Sequence, residues 1–274
     1  MSLLPASPLV SAEWLLAHHG AVLVLDASID RRTEGYFPGH AVFGAGHIPS
    51  AGFADLFAEF SDPSALFPFT CPQAAQLEQA ARRAGIGRKT DVVVYDSLSG
   101  AWAARLWWVL RAFGHESVRV LDGGLAAWKR AGGKVAKGEA LVAAPGNFSA
   151  RPQPGFFMNA EEVQAGIGAL PMLCATRAEE YAAGHIPGSQ NLPYAALLAA
   201  DGRLDLPLAA QAWRGLGLPA QTGAVLYCGG GINAAGLALA FTALGHRGLA
   251  VYDGSLHEWR ADPARPLQMG GHPS

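Results

Sequence analysis

Charge is scarce in this chain. Of 274 residues only 15% are Asp, Glu, Lys or Arg, with 20 basic against 22 acidic and a formal net charge of −2. That balance supplies no basic footprint, so neither nucleic acid nor an anionic membrane is expected as a partner. Long apolar runs are missing too. The longest, 236–245 (GLALAFTALG), is about half of what a membrane-spanning helix requires. The opening MSLLPASPLVSAEW has no basic start, so a secretory leader is not expected. Cysteine is rare: Cys71, Cys174 and Cys228 are odd in number and far apart. They form neither a disulfide framework nor a CxxC metal pair. No His/Cys/Asp/Glu cluster stands at ligand spacing, so no metal is expected. What the chain has in abundance is apolar residues, at 50%, and 34 glycines. This composition builds a large core, and a soluble, cytoplasmic globular protein is the expectation.

The chain repeats itself. Gly46-His47-Ile48-Pro49 returns as Gly184-His185-Ile186-Pro187, an offset of 138. The run 92–96 (VVVYD) returns as 224–228 (AVLYC), offset by 132. Phe113-Gly114-His115 and Leu121-Asp122-Gly123-Gly124 return as Leu244-Gly245-His246 and Tyr252-Asp253-Gly254-Ser255, both offset by 131, as are Trp128 and Trp259. Matched features in one order imply a duplicated domain. The expected organisation is a first domain over 1–133, a linker over 134–155 that carries Gly and Pro without apolar periodicity, and a second domain over 156–274. In each copy short β-branched runs (22–25, 92–95 and 118–121, then 173–174, 224–227 and 249–252) alternate with helical stretches such as 101–113 and 234–244. This alternation predicts an α/β fold of two tandem domains, each a parallel β-sheet flanked by helices. Ligands of such sheets bind beyond the carboxyl ends of the strands. No Gly-x-Gly-x-x-Gly follows the first strand of either copy, which argues against a dinucleotide.

The copies differ where chemistry is expected. After the Val/Tyr strand the first reads Tyr95-Asp96-Ser97-Leu98-Ser99-Gly100, and the second reads Tyr227-Cys228-Gly229-Gly230-Gly231-Ile232-Asn233. Glycines let a backbone curl round a ligand, successive N–H groups form an anion-binding nest, and a helix start adds its positive dipole end. A cysteine there is expected to be a thiolate near neutrality and a nucleophile. Cys71 and Cys174 read as inert. His47 and His185 occur in both copies, only one of which has the cysteine, and so read as structural. Trp102, Trp107 and Trp108 read as core.

With its GHIP in each half and its Cys-Gly-Gly-Gly-Ile-Asn-Ala loop in the second, the chain resembles the tandem rhodanese family of thiosulfate and 3-mercaptopyruvate sulfurtransferases. The resemblance implies that Cys228 is the catalytic residue. It would take a sulfane sulfur from a small anionic donor as a persulfide and pass it to cyanide or a thiol, a thioredoxin-like protein among the thiols. It implies that Gly229, Gly230, Gly231, Ile232 and Asn233 bind the charged sulfur, that no cofactor is needed, and that the first domain, with Asp96, is inactive. Mercaptopyruvate-type members usually carry a serine two positions after the cysteine, and an Asp and a His from the first domain. Here those places hold Gly230, Phe57 and Ala65. Thiosulfate releases sulfite without such help, whereas thiosulfate-type loops usually hold Arg and Lys, which are absent. The balance tips slightly to thiosulfate. Both donors are anions, and Arg177 is the candidate cation, in a segment (Leu173-Cys174-Ala175-Thr176-Arg177) compared with the family's Leu-Leu-Asp-Ala-Arg so that Ala175 takes the place of the Asp. A cysteine phosphatase needs an arginine six positions after its cysteine; position 234 is alanine. The alternative from another class is a non-catalytic binding or regulatory module, against which the presence of Cys228 argues.

Overall fold

The computed structural model describes residues 2–140, 143–219 and 222–271. Leu141 and Val142 of the expected linker, and the ends of the two expected domains at Met1 and at 272–274, lie outside the described residues. The chain divides into two compact units. One holds the described residues up to Gln153 together with Ala200–Arg203, and the other holds Pro154–Ala199 and the described residues from Leu204 onward.

In the first unit β1 (Leu9–Val10), β2 (Leu23–Asp26), β5 (Gly52–Phe53), β6 (Val92–Tyr95) and β7 (Val118–Leu121) form a five-stranded sheet in the order β1-β7-β6-β2-β5. In the second, β8 (Phe157–Met158), β9 (Met172–Cys174), β10 (Gln190–Asn191), β11 (Ala224–Tyr227) and β12 (Leu249–Tyr252) take the order β10-β9-β11-β12-β8. Read from the other edge this is the same order, and every pairing in both sheets is parallel. The central strands β6 (VVVY) and β11 (AVLY) are buried at every residue, as strands covered by helices on both faces must be. The helices that follow them, Ala101–Ala112 and Ile232–Ala243, begin at Gly100 and Gly231, with φ of 79° and 80°. Glycine alone adopts such a backbone without strain.

One element has no counterpart in the second copy. β3 (Ile29–Arg32) and β4 (Gly35–Pro38) form an antiparallel hairpin directly after β2, whereas in the second unit the chain passes from Thr176 to the helix Ala178–Ala182. The segment expected as a linker carries no helix or strand among its described residues, but it does not hang free. Gly138 N–H donates to Gly44 O, Gly146 N–H to Arg82 O and Phe148 N–H to Ile86 O. Phe148 is buried. Backbone pairing and one apolar anchor lay this strap along the first unit, whose compact contacts run to Gln153. No helix among the described residues is long and apolar enough to cross a membrane.

Candidate active site

Cys228 stands at the carboxyl end of the central strand of its sheet. The chain there passes through three glycines in a row into the helix starting at Ile232. Its side chain is buried and its thiol is free. The loop is tied to the turn after β12. Cys228 N–H donates to Ser255 Oγ at 3.1 Å, Ser255 Oγ donates to Tyr252 O at 2.8 Å, and the N–H groups of Leu256 and His257 donate to the carbonyls of Cys228 and Gly229, each at 2.9 Å. Ser255 holds this place with φ of 51°, an uncommon conformation for a residue with a side chain. Gly229 to Asn233, all expected to bind the charged sulfur, thus lie in one turn around the start of the helix, where the first backbone N–H groups have no intrahelical acceptor.

The first unit displays the same turn with an anion inside it. Asp96 stands at the end of β6, and its own carboxylate accepts from the N–H groups of Leu98 (2.8 Å), Gly100 (3.0 Å) and Ala103 (2.9 Å). Burial pushes this carboxyl above its ordinary range; the N–H bonds from Ala103, Gly100 and Leu98 pull it back without cancelling the effect. Gly100 and Gly231 match in conformation, and three residues lie between Asp96 and Gly100 where two lie between Cys228 and Gly231. The offset between the copies falls from 132 to 131 here, so the second copy's loop is shorter by one residue. In place of Ser255 the first unit has Gly124, with φ of 54°, where a Cβ would collide with the carbonyl oxygen of Asp96.

Cys174 is wholly buried, with Sγ 3.1 Å from Thr176 Oγ1. Burial pushes its thiol pKa up, in keeping with an inert cysteine. The strand registers correct the comparison made above for this segment. Asp26 pairs with Tyr95 and Cys174 with Tyr227, while Ala27 and Ala175 donate to the carbonyls of those tyrosines at 2.8 and 2.7 Å. Cys174, not Ala175, therefore occupies the place of the aspartate, and Thr176, not Arg177, occupies the place after the alanine. Arg177 precedes the helix Ala178–Ala182, with its side chain 74% exposed and 3.3 Å from Glu180. The loop thus does not enclose Arg177.

His47 and His185 take identical structural roles. Their Nδ1 atoms bond Phe43 O and Tyr181 O at 2.9 and 3.0 Å, and their rings stack on the same residues. Trp102, Trp107 and Trp108 are core. Phe57 N–H donates to Asp55 Oδ1, and its apolar ring has no proton to relay. Two residues at the loop were given no role from the sequence: Ser255, known there only as the end of a repeat motif, and His257, whose Nε2 lies 3.4 Å from where a Cβ on Gly229 would stand. The available signal was the internal repeat, which pairs them with Gly124 and Ala126 of the copy that lacks the cysteine.

Comparison with known proteins agrees with this geometry. The model of the Rhodanese-like domain matches residues 11–131 and again 159–262. Human 3-mercaptopyruvate sulfurtransferase is 32% identical over 242 residues, covering 82% of this chain and 81% of its own. Thiosulfate sulfurtransferase of Gallus gallus is 32% identical over 283 residues, covering 93% and 94%. Among solved structures, SseA from Escherichia coli, a 3-mercaptopyruvate sulfotransferase, superposes with a TM-score of 0.83 at 28% identity, covering 91% of this chain and 99% of that one.

Proposed function

The chain belongs to the rhodanese-like family and is a sulfurtransferase, and we propose that its second unit carries the sulfur, on Cys228, while the first is catalytically silent. The observation that supports this most is the carboxylate of Asp96 in the first unit's turn. Three N–H groups converge there on an anion held just beyond the end of the central strand. The equivalent turn in the second unit offers its N–H groups, from Gly229 to Asn233, to the sulfur of Cys228 and to whatever that sulfur carries. An aspartate ends in carboxylate oxygens and cannot hold a sulfane sulfur.

In the loading step the Cys228 thiolate attacks the outer sulfur of the donor. An S–S bond forms to Cys228, the donor's own bond to that sulfur breaks, and its electron pair leaves with sulfite or with the pyruvate fragment. In the unloading step a nucleophile, cyanide or a thiol, takes the outer sulfur and returns Cys228 as thiolate. The cysteine is the whole carrier, so no cofactor enters the scheme. Thiosulfate is slightly favoured as donor because its leaving group departs without a proton, and Phe57 and Ala65 have none to give. Arg177 is offered as the donor-facing cation: its planar fork suits a sulfonate or carboxylate once it turns from Glu180. A thioredoxin-like dithiol and a reducing, cytoplasmic setting fit a carrier whose cysteine must be free.

The test is the mass of the intact protein after treatment with thiosulfate or 3-mercaptopyruvate. One added sulfur atom, removed by cyanide and lost in Cys228→Ser, is the expected result. No adduct from either donor overturns the scheme and leaves the chain as a binding module. Initial rates with the two donors, with cyanide as common acceptor, decide the donor.

A further inference from the structure

The helix that follows β12, Ser255–Ala261, contributes a group to the Cys228 turn that the scheme above does not use. His257 is anchored by its backbone, whose N–H donates to Gly229 O at 2.9 Å. Its ring lies over the same glycine, with Nε2 and Cε1 3.4 and 3.8 Å from the position of a Cβ there. The imidazole is thus within van der Waals reach of the residue next to Cys228. His257 is exposed to solvent. The charged groups around it are Arg260 on its own helix and Glu180 on the facing helix Ala178–Ala182. Arg260 Nη2 is engaged with Gly184 O at 2.6 Å, and Glu180 with Arg177. Partial burial and Arg260 lower the His257 pKa, against the smaller pull of Glu180. The ring is therefore neutral and able to accept a proton at neutral pH. The silent copy has Ala126 at this place.

We propose that His257 is the general base of the unloading step for thiol acceptors. This rests on the reading of Cys228 as the sulfur carrier. An acceptor thiol approaching from solvent gives its S–H proton to Nε2 of the neutral imidazole. Its sulfur forms a bond to the outer sulfur of the Cys228 persulfide anion, and the persulfide S–S bond breaks. The bonding pair returns to Cys228 as thiolate, the acceptor leaves as its own persulfide anion, and His257 is left as imidazolium. The imidazolium then loses its proton to solvent. Cyanide, which attacks as an anion, has no use for this base.

The experiment loads the protein with sulfur from thiosulfate, removes the donor, and follows loss of the added sulfur by mass. The acceptors are 2-mercaptoethanol at pH 7 and, separately, cyanide in alkaline buffer where it is ionised. For His257→Gln the expected result is normal loading and a cyanide rate close to wild type. Thiol transfer slows by about 10²-fold, the lower end of general-base contributions. The defect closes as pH rises past the thiol's own pKa, and free imidazole restores thiol transfer in His257→Ala. Equal loss with both acceptors, no loss with the thiol, or no rescue by imidazole each overturns the role of His257. A wild-type chain that takes up no sulfur overturns the carrier reading and this one with it, whereas normal loading with any of the three earlier results overturns this one alone.

Discussion

The turns after β6 and β11 are built on one backbone plan and reach opposite ends with it. Both leave a central strand, both reach a glycine of matching conformation at a helix start, and both sit beneath a turn from the next strand. In the first, the chain fills the converging N–H groups with its own Asp96 carboxylate. In the second the strand ends on a cysteine, held through Cys228 N–H by Ser255 where the first unit has room only for Gly124. One backbone plan thus serves two residue types. The carboxylate closes the first turn as a structural joint, and if Cys228 carries the sulfur, the second stays open for a charge that comes and goes. Even three N–H donors do not fully offset the burial of the charge, since Asp96 remains raised above its ordinary range. A persulfide, which spreads its charge over two large atoms, is a gentler occupant.

Asp96→Ala removes the acceptor of three N–H groups, one buried and two part-buried, and leaving a buried donor unsatisfied costs roughly 1–3 kcal/mol. Some relaxation is expected, so a loss of about 3 kcal/mol in denaturant unfolding of the first unit is the expected outcome. Asp96→Cys is expected to gain no sulfur from thiosulfate, measured in a Cys228→Ser background, because its loop is one residue longer and lacks the serine tie. An added sulfur on that variant would show that position alone makes the carrier.

Asp96→Asn separates the two turns through pH. Because the folded carboxyl has a raised pKa, the unfolded chain loses this proton first as pH rises. The stability contributed is complete below the ordinary Asp range, about 4, and falls as pH climbs toward the folded value. The asparagine variant lacks this dependence. The stability of wild type relative to the variant is therefore expected to grow as pH falls toward that range, as thermal melts across acid pH would reveal. A flat difference would mean that the carboxyl is not perturbed by burial.

Smaller effects are expected at the serine tie and the rim. Ser255→Ala leaves Cys228 N–H without its partner and is expected to cost about 1 kcal/mol of stability, with sulfur loading slowed but not lost. Arg177→Ala removes an exposed pair worth little to stability. If the guanidinium receives the donor, KM for thiosulfate rises with kcat nearly unchanged; an unchanged KM removes it from the site.

Much of the plan was legible in the sequence because both copies obey it. The four-residue strands β2, β6, β7, β11 and β12 showed as β-branched or apolar runs, and Cys228 announced itself by its glycines. The two-residue edge strands β1, β5, β8 and β10 are too short to show any periodicity. The hairpin of β3 and β4 is mostly exposed along IDRR and GYFP, so no buried face marked it. Arg177 was set one place out of register because it was matched to the arginine of the family's Leu-Leu-Asp-Ala-Arg; strand pairing, which places Cys174 opposite Tyr227, resolves that. His257 escaped because a single polar residue between Leu256 and Glu258 resembles any exposed helix position until the turn it faces is known.

The missing residue between Cys228 and Gly231 also bears on descent. An aspartate codon differs from a cysteine codon at more than one base, and shortening a loop requires an in-frame deletion. With Gly124 barring a serine as well, turning the first loop into the second takes several coupled changes, and a chain with only some of them has neither the carboxylate joint nor the serine-tied cysteine.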